Sequence, residues 1–282
     1  MSAQDRGTIA STGAGSAATP RAEPAAPGES SFGGARFAGW RAVFRREFRS
    51  YFATPLGYIF LVLFLLASGY LMVSRDFGRF LELRQASLDP LFTYIPWLFS
   101  VVVPAVAMRL WAEERKSGTV ELLLTLPVTL EGTYLGKFLA GLSFLGVGLA
   151  LTWPAVLQVA RLGSPDWGHV LAGYLGCVLT AAAFLAVGML FSALSKNQVV
   201  AFILAVAACV SFLLVGLPQT QEAVGLWLGG YAERLVASLS LVDHFETLTR
   251  GLLEVRALLF YLVFTVVWLA GGALVLGQTK TS

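Results

Sequence analysis

Six long apolar segments constrain this chain more than any other feature. They run over about 56–74, 91–108, 138–160, 170–194, 198–217 and 257–277, and none contains Asp, Glu, Lys, Arg or His. A bilayer core about 30 Å thick is crossed by about 20 residues of helix. Inside it every backbone N–H and C=O needs a partner, which a helix supplies within the segment. Barrel strands would be about 10 residues long and alternate in polarity, and these segments do not alternate. The expected fold is all-α, a polytopic membrane protein with six transmembrane helices between 56 and 277. Charged residues are 13% of the chain, against about 25% in an ordinary soluble domain.

The charges sit between the segments, and their distribution sets an orientation. Six spans place both termini on one side. That side carries 13 of the 20 Lys and Arg residues, with the densest cluster, Arg36 to Arg49, just before the first span. The positive-inside rule then puts both termini and the 109–137 connection in the cytoplasm. The expected location is the bacterial inner (cytoplasmic) membrane, multi-pass. A net charge of +3 that sorts by membrane side points to a lipid bilayer as partner and not to nucleic acid.

Residues 1–35 are rich in Ala, Gly, Ser and Pro. They cannot bury enough apolar surface to offset chain entropy, so a disordered cytoplasmic tail is expected. In 36–55, Phe37, Trp40, Phe44, Phe48 and Tyr51 recur at helical spacing and Arg41, Arg45, Arg46 and Arg49 fill the other faces. This pattern predicts an amphipathic helix in the inner-leaflet interface, ended by Thr54-Pro55. The connections 75–90, 161–169 and 192–198 read as short turns, and 278–282 as a cytoplasmic tail. Pro96, Pro104 and Pro154 predict kinks within spans. The external segment 218–256 is too apolar for a plain loop, and Glu233 and Arg234 argue against a seventh span. Interfacial helices or a shallow re-entrant hairpin are expected there.

The connection 109–137 reads RLWAEERKSGTVELLLTLPVTLEGTYLGK. The second span is expected to continue as helix to about Lys116 and to break at Ser117-Gly118-Thr119. Ser and Thr suit a new helix start, and Gly permits the turn. Glu121 then lies in a first turn, where a carboxylate meets the positive end of the dipole. Leu122, Leu123, Leu124 and Leu126 give this short helix an apolar surface, and Pro127 stops it. Gly136-Lys137 lead into the third span. An ordinary basic turn accounts for Arg115 and Lys116, but not for Glu113-Glu114 or for so many leucines. A surface helix for a soluble partner accounts for both.

Chemistry within the chain has little to work with. Gly132 to Phe138 is one residue short of a phosphate loop and carries Phe where that motif needs a hydroxyl, so no nucleotide site is expected. His244, within Asp243-His244-Phe245-Glu246, is a poor metal-ligand set and is read as a polar interfacial cap. Cys177 and Cys209 fall inside spans as packing residues. No catalytic residue, cofactor site or metal site is expected. An intramembrane enzyme would require a polar constellation at membrane depth, which charge-free spans disfavour. A secondary transporter usually carries intramembrane ionisable groups, so energy for any movement is expected from outside the chain.

The motif Glu113-Glu114-Arg115, Ser117-Gly118-Thr119, Glu121, Leu123-Leu124, Pro127 and Gly136-Lys137 resembles the signature of type-2 (ABC-2) ABC transporter permeases. The resemblance covers about 36–277. RSYFATPLGYIF and SLVDHFETLTRGLLEVRALLF look most like the branch associated with gliding motility and nitrous-oxide-reductase maturation. It implies a permease subunit that is not itself an enzyme and works with two copies of a soluble ABC ATPase, which carry the ATP and Mg. It implies a homodimer or a heterodimer with a related permease. It also implies that the helix near 118–127 is a coupling helix and that substrate is exported from the cytoplasm or inner leaflet. Mechanotransmission to an envelope machine without solute transport is the alternative.

Overall fold

The computed structural model describes residues 39–74, 76–78, 80, 87–118, 129–251 and 253–278. Their regular structure is all helical. In chain order the helices are α1 (Trp40–Ala53), α2 (Pro55–Val73), α3 (Asp89–Ser117), α4 (Leu130–Ala150), α5 (Trp153–Leu162), α6 (Trp167–Leu194), α7 (Gln198–Val215), α8 (Pro218–Leu228), α9 (Gly230–Ser238), α10 (Leu241–Thr249) and α11 (Val255–Gln278). Six stretches among them are long and apolar enough to cross a membrane: α2, α3, α4 with α5, α6, α7 and α11. The six-span expectation therefore holds. The tails at 1–35 and 279–282 lie outside the described residues.

Local chemistry sets the boundaries. Thr54 is extended (ψ 141°), as a residue before proline prefers, and Pro55 opens α2. Asp166 caps α6 by accepting from the N–H groups of Gly168 and His169, and Asn197 caps α7 through Val199. Pro154 has no N–H to give the preceding turn, and the third span divides there into α4 and α5. The third span begins at Leu130, earlier than the sequence reading placed it, so Lys137 lies inside its helix and not ahead of it. α6 runs to Leu194, where the fourth span was expected to end, and Ser192 lies inside it.

α6 is the central helix, packed against α3, α4, α7, α10 and α11. Its small residues let neighbours come close. At Gly188 an added Cβ would stand 2.6 Å from the Cβ of Ala107 on α3, so that crossing requires glycine. α2, α7 and α11 lie outside and leave large apolar side chains such as Leu66, Ile203 and Leu274 exposed, as lipid-facing surfaces do.

The 218–256 segment forms α8 and α9, which pack on each other, and α10, which packs on α6. Tyr261 of α11 accepts from Thr180 of α6 and donates to the Leu241 carbonyl of α10, at 3.1 and 2.9 Å. His244 is buried, its ring 4.3 Å from that of Phe260 and its Nε2 3.2 Å from the Ser238 carbonyl. It serves as a packed polar anchor. Among the described residues no group of three or more His, Cys, Asp or Glu could hold a metal ion.

Candidate functional site

A cluster of charged side chains lies where α1, α3 and α4 meet. α1 packs along α4 with Val43 and Tyr51 buried, Phe44, Phe48 and Phe52 half-buried, and Arg41, Arg45 and Arg49 exposed. The contact is closest at Gly136, where a Cβ would lie 2.7 Å from the Trp40 carbonyl. One residue later, α4 turns Lys137 into the interior, leaving its side chain 2% exposed.

The Lys137 ammonium has three protons and three acceptors. Nζ lies 2.9 Å from Glu114 Oε1, 3.1 Å from Glu47 Oε1 and 2.9 Å from the Leu110 carbonyl. It also lies 5.1 Å from the centre of the Trp111 ring, a cation–π arrangement. Arg46 adds a second cation, 2.8 Å from Glu47 and 3.3 Å from Glu114. Burial acts to raise the Glu47 carboxyl, but the Lys137 charge and the Arg46 hydrogen bond outweigh it and hold the group below the ordinary carboxylate value. A buried charge without partners is expensive. Here two cations and two carboxylates compensate one another and lock three helices at fixed spacing.

A second fastener ties the same end of α3 to α6. Ser192 Oγ donates to the Met108 carbonyl at 2.8 Å and accepts from the N–H groups of Trp111 and Ala112, each at 3.1 Å. A helix ordinarily joins residue 112 to residue 108, so this hydroxyl enters the α3 ladder itself. Arg115 then donates to the Ala193 carbonyl near the end of α6. α3 lies along α6 for much of its length and touches α4 at few positions. The end of α3 is thus held chiefly by the central helix.

A family model for ABC-2 family transporter proteins matches residues 77–228, more than half of the chain. The chain belongs to the ABC-2 transporter family. It is a permease subunit, the transmembrane part of an ABC transporter, and membership implies an ABC ATPase partner and a membrane environment. No curated protein matches the chain. The ABC-2 match spans α3 to α8 and includes Glu114 and Lys137, whereas α1, which brings Arg46 and Glu47, precedes it.

The motif residues fall into three groups. Glu114, Arg115, Gly136 and Lys137 belong to the two fasteners. Glu113 is exposed on α3, Ser117 Oγ donates to the carbonyls of Glu113 and Glu114 at 3.0 and 3.2 Å, and Gly118 ends the helix at φ 72°. Thr119, Glu121, Leu123, Leu124 and Pro127 lie outside the described residues. Thr129 caps α4 by accepting from Gly132 at 3.2 Å. Sequence reading missed Arg46, Glu47 and Ser192. Glu47 had left a signal, as the only carboxylate among the arginines of 36–54. Ser192 had left none.

Proposed function

We propose that this ABC-2 permease moves its substrate out of the cytoplasm or inner leaflet, with 109–137 facing the cytoplasm and receiving the stroke of two ATPase copies. The permease would work as a homodimer or with a related permease, and ATP and Mg would stay on the ATPases. The observation that carries this reading is the Lys137 network together with the Ser192 fastener. Both lie at the end of the molecule where α3 hands over to the 119–128 connection, and they make α1, α3, α4 and α6 one mechanical unit there. An ATPase that displaces the connection would displace this unit and, through α6, the outer helices α7 and α11. Glu113, exposed beside the break at Gly118, and Glu121 beyond it are the proposed contacts. Spans without formal charge favour an apolar or amphipathic substrate.

The test is co-purification of the cognate ATPase with Glu113→Lys and Glu121→Lys chains. Each substitution is expected to reduce capture about tenfold while membrane insertion is unchanged. Undiminished capture by both would overturn the coupling role. A Ser117→Cys chain that labels only from the periplasmic side would overturn the orientation.

A further inference from the structure

A groove of about 950 Å³ runs between the start of α4 and the second half of α11. α4 supplies Leu130 and Leu135 to its lining, and α11 supplies Leu269, Ala270, Ala273 and Leu274. Both helices pack on α6 but touch one another at few positions. One of these is the Tyr134 phenol against Gly272, which leaves no room for a Cβ. Beside that contact α11 presents Ala270, Ala273 and Gly277 at i, i+3 and i+7, which is one helical face. Small side chains cut the surface back there, and no described helix fills the space.

Depth and polarity select the occupant. The lining on α11 extends from Val266 to Gln278, about 18 Å at 1.5 Å per residue. Half of a hydrocarbon core about 30 Å thick is about 15 Å, so the groove covers about one leaflet. Six spans put the start of α4 and the end of α11 on the same membrane face. Thr129, Glu131 and Gln278 lie at that end, and the lining beyond them is apolar apart from Tyr134. A phospholipid of that leaflet has the same gradient, polar at the face and hydrocarbon below it. Apolar cavities do not hold water, and an unfilled gap forfeits dispersion contacts on every wall. Hydrocarbon is the filling that a bilayer supplies.

We propose that this groove binds one acyl chain of a phospholipid from the leaflet where α4 begins and α11 ends. The chain lies over Ala270 and Ala273, with leucines of both helices as walls and its headgroup level with Thr129 and Gln278. Lipid against Leu66 of α2 or Ile203 of α7 meets the exposed face of a single helix, and such lipid exchanges freely. A chain in the groove touches two helices at once and is held longer. It also bridges α4 and α11, which have little direct contact, so the packing of that leaflet bears on their spacing. The site rests on the spans and their packing, not on the direction of transport or on the coupling role of 109–137.

The test uses the full-length chain in phosphatidylcholine nanodiscs and reads retained phosphatidylcholine by native mass spectrometry after detergent release. Ala270 is exposed in the groove, so a larger side chain there occupies the space without displacing protein. Ala270→Phe should lower retention about tenfold and Ala270→Leu several-fold, both with melting temperatures near that of the parent. Leu66→Phe, on the exposed face of α2, should change nothing. A phosphatidylcholine with a diazirine midway along one acyl chain should label the parent chiefly within 266–274 and 130–135, and Ala270→Phe should abolish that labelling. Retention unaffected by both groove variants overturns the proposal. An equal loss in Leu66→Phe, or labelling spread evenly over α2, α7 and α11, overturns it by showing only the general lipid shell. An Ala273→Cys chain that forms a disulfide with a second copy in the nanodisc would assign the groove to a protein contact and overturn the lipid occupant.

Discussion

The ammonium of Lys137, on the third span, lies 2.9 Å from the carboxylate of Glu114, on the second, and shares its remaining protons with Glu47 and the Leu110 carbonyl. The contact joins two residues of one sequence motif, 23 positions apart. Removing the Lys137 cation alone would leave two half-buried carboxylates facing one another with only the more exposed Arg46 shared between them. Lys137→Met is therefore expected to destabilise the permease by about 3–5 kcal/mol, read as a lowered melting temperature in detergent. Adding Glu47→Gln and Glu114→Gln to that chain should recover more than half of the loss, because the penalty comes from unpaired charge and not from lost packing. A triple variant as unstable as the single one would show that the network is not what holds these helices.

The same network sets an acid limit. Glu47 titrates below the ordinary carboxylate value when folded, so its contribution is complete above the unfolded value and is lost as pH falls through the folded one. The parent chain should lose melting temperature on acidification below the ordinary carboxylate range and show little change between pH 6 and pH 8 from this source. Glu47→Gln should start lower at neutral pH and fall less steeply in acid. Parallel pH profiles for the two chains would remove Glu47 from the account.

How much of this was legible in the sequence follows from which forces write plainly into it. Apolar run length is a one-dimensional signal, so all six spans could be read. Thr54-Pro55 and Gly118 act through their own backbones, so those breaks could be read as well. Pairing across distance could not. Glu47 announced that it needed a cation, but any of several was available, and the one it meets most deeply is 90 residues away. Lys137 looked like a charge at a span edge because its burial depends on α1 covering it, and α1 covers it only because Gly136 admits the Trp40 carbonyl. The packing of α3 along α6 could not be read either. That neighbour is chosen by small residues whose spacing fits many partners equally well.

Ser192 carries a prediction of the opposite scale. Its hydroxyl touches three backbone groups of α3, yet interhelical hydrogen bonds in membranes contribute only about 0.6 kcal/mol on average, and α3 can close its own ladder once the hydroxyl is gone. Ser192→Ala should cost about 0.5–1.5 kcal/mol and leave the fold intact. The informative readout is amide exchange at Trp111 and Ala112, which should change in that variant while exchange in α11 does not. A uniform change across all helices would mean that the serine supports general packing and not this one junction.

The crossing of α3 and α6 offers the sharpest test, because it rests on one methyl group. An alanine at 188 would put its Cβ 2.6 Å from the Cβ of Ala107, and neither atom can rotate away, so the helix axes must separate. Overpacking of this kind costs about 1–3 kcal/mol. It should also loosen the Ser192 contacts one turn further along. Moving the methyl back across the crossing, with Gly188→Ala and Ala107→Gly in one chain, restores the volume without restoring either residue. That double variant should regain most of the melting temperature lost by Gly188→Ala. If it does not, close approach of these two helices is not what positions the end of α3, and the path from the connection to the central helix must run elsewhere.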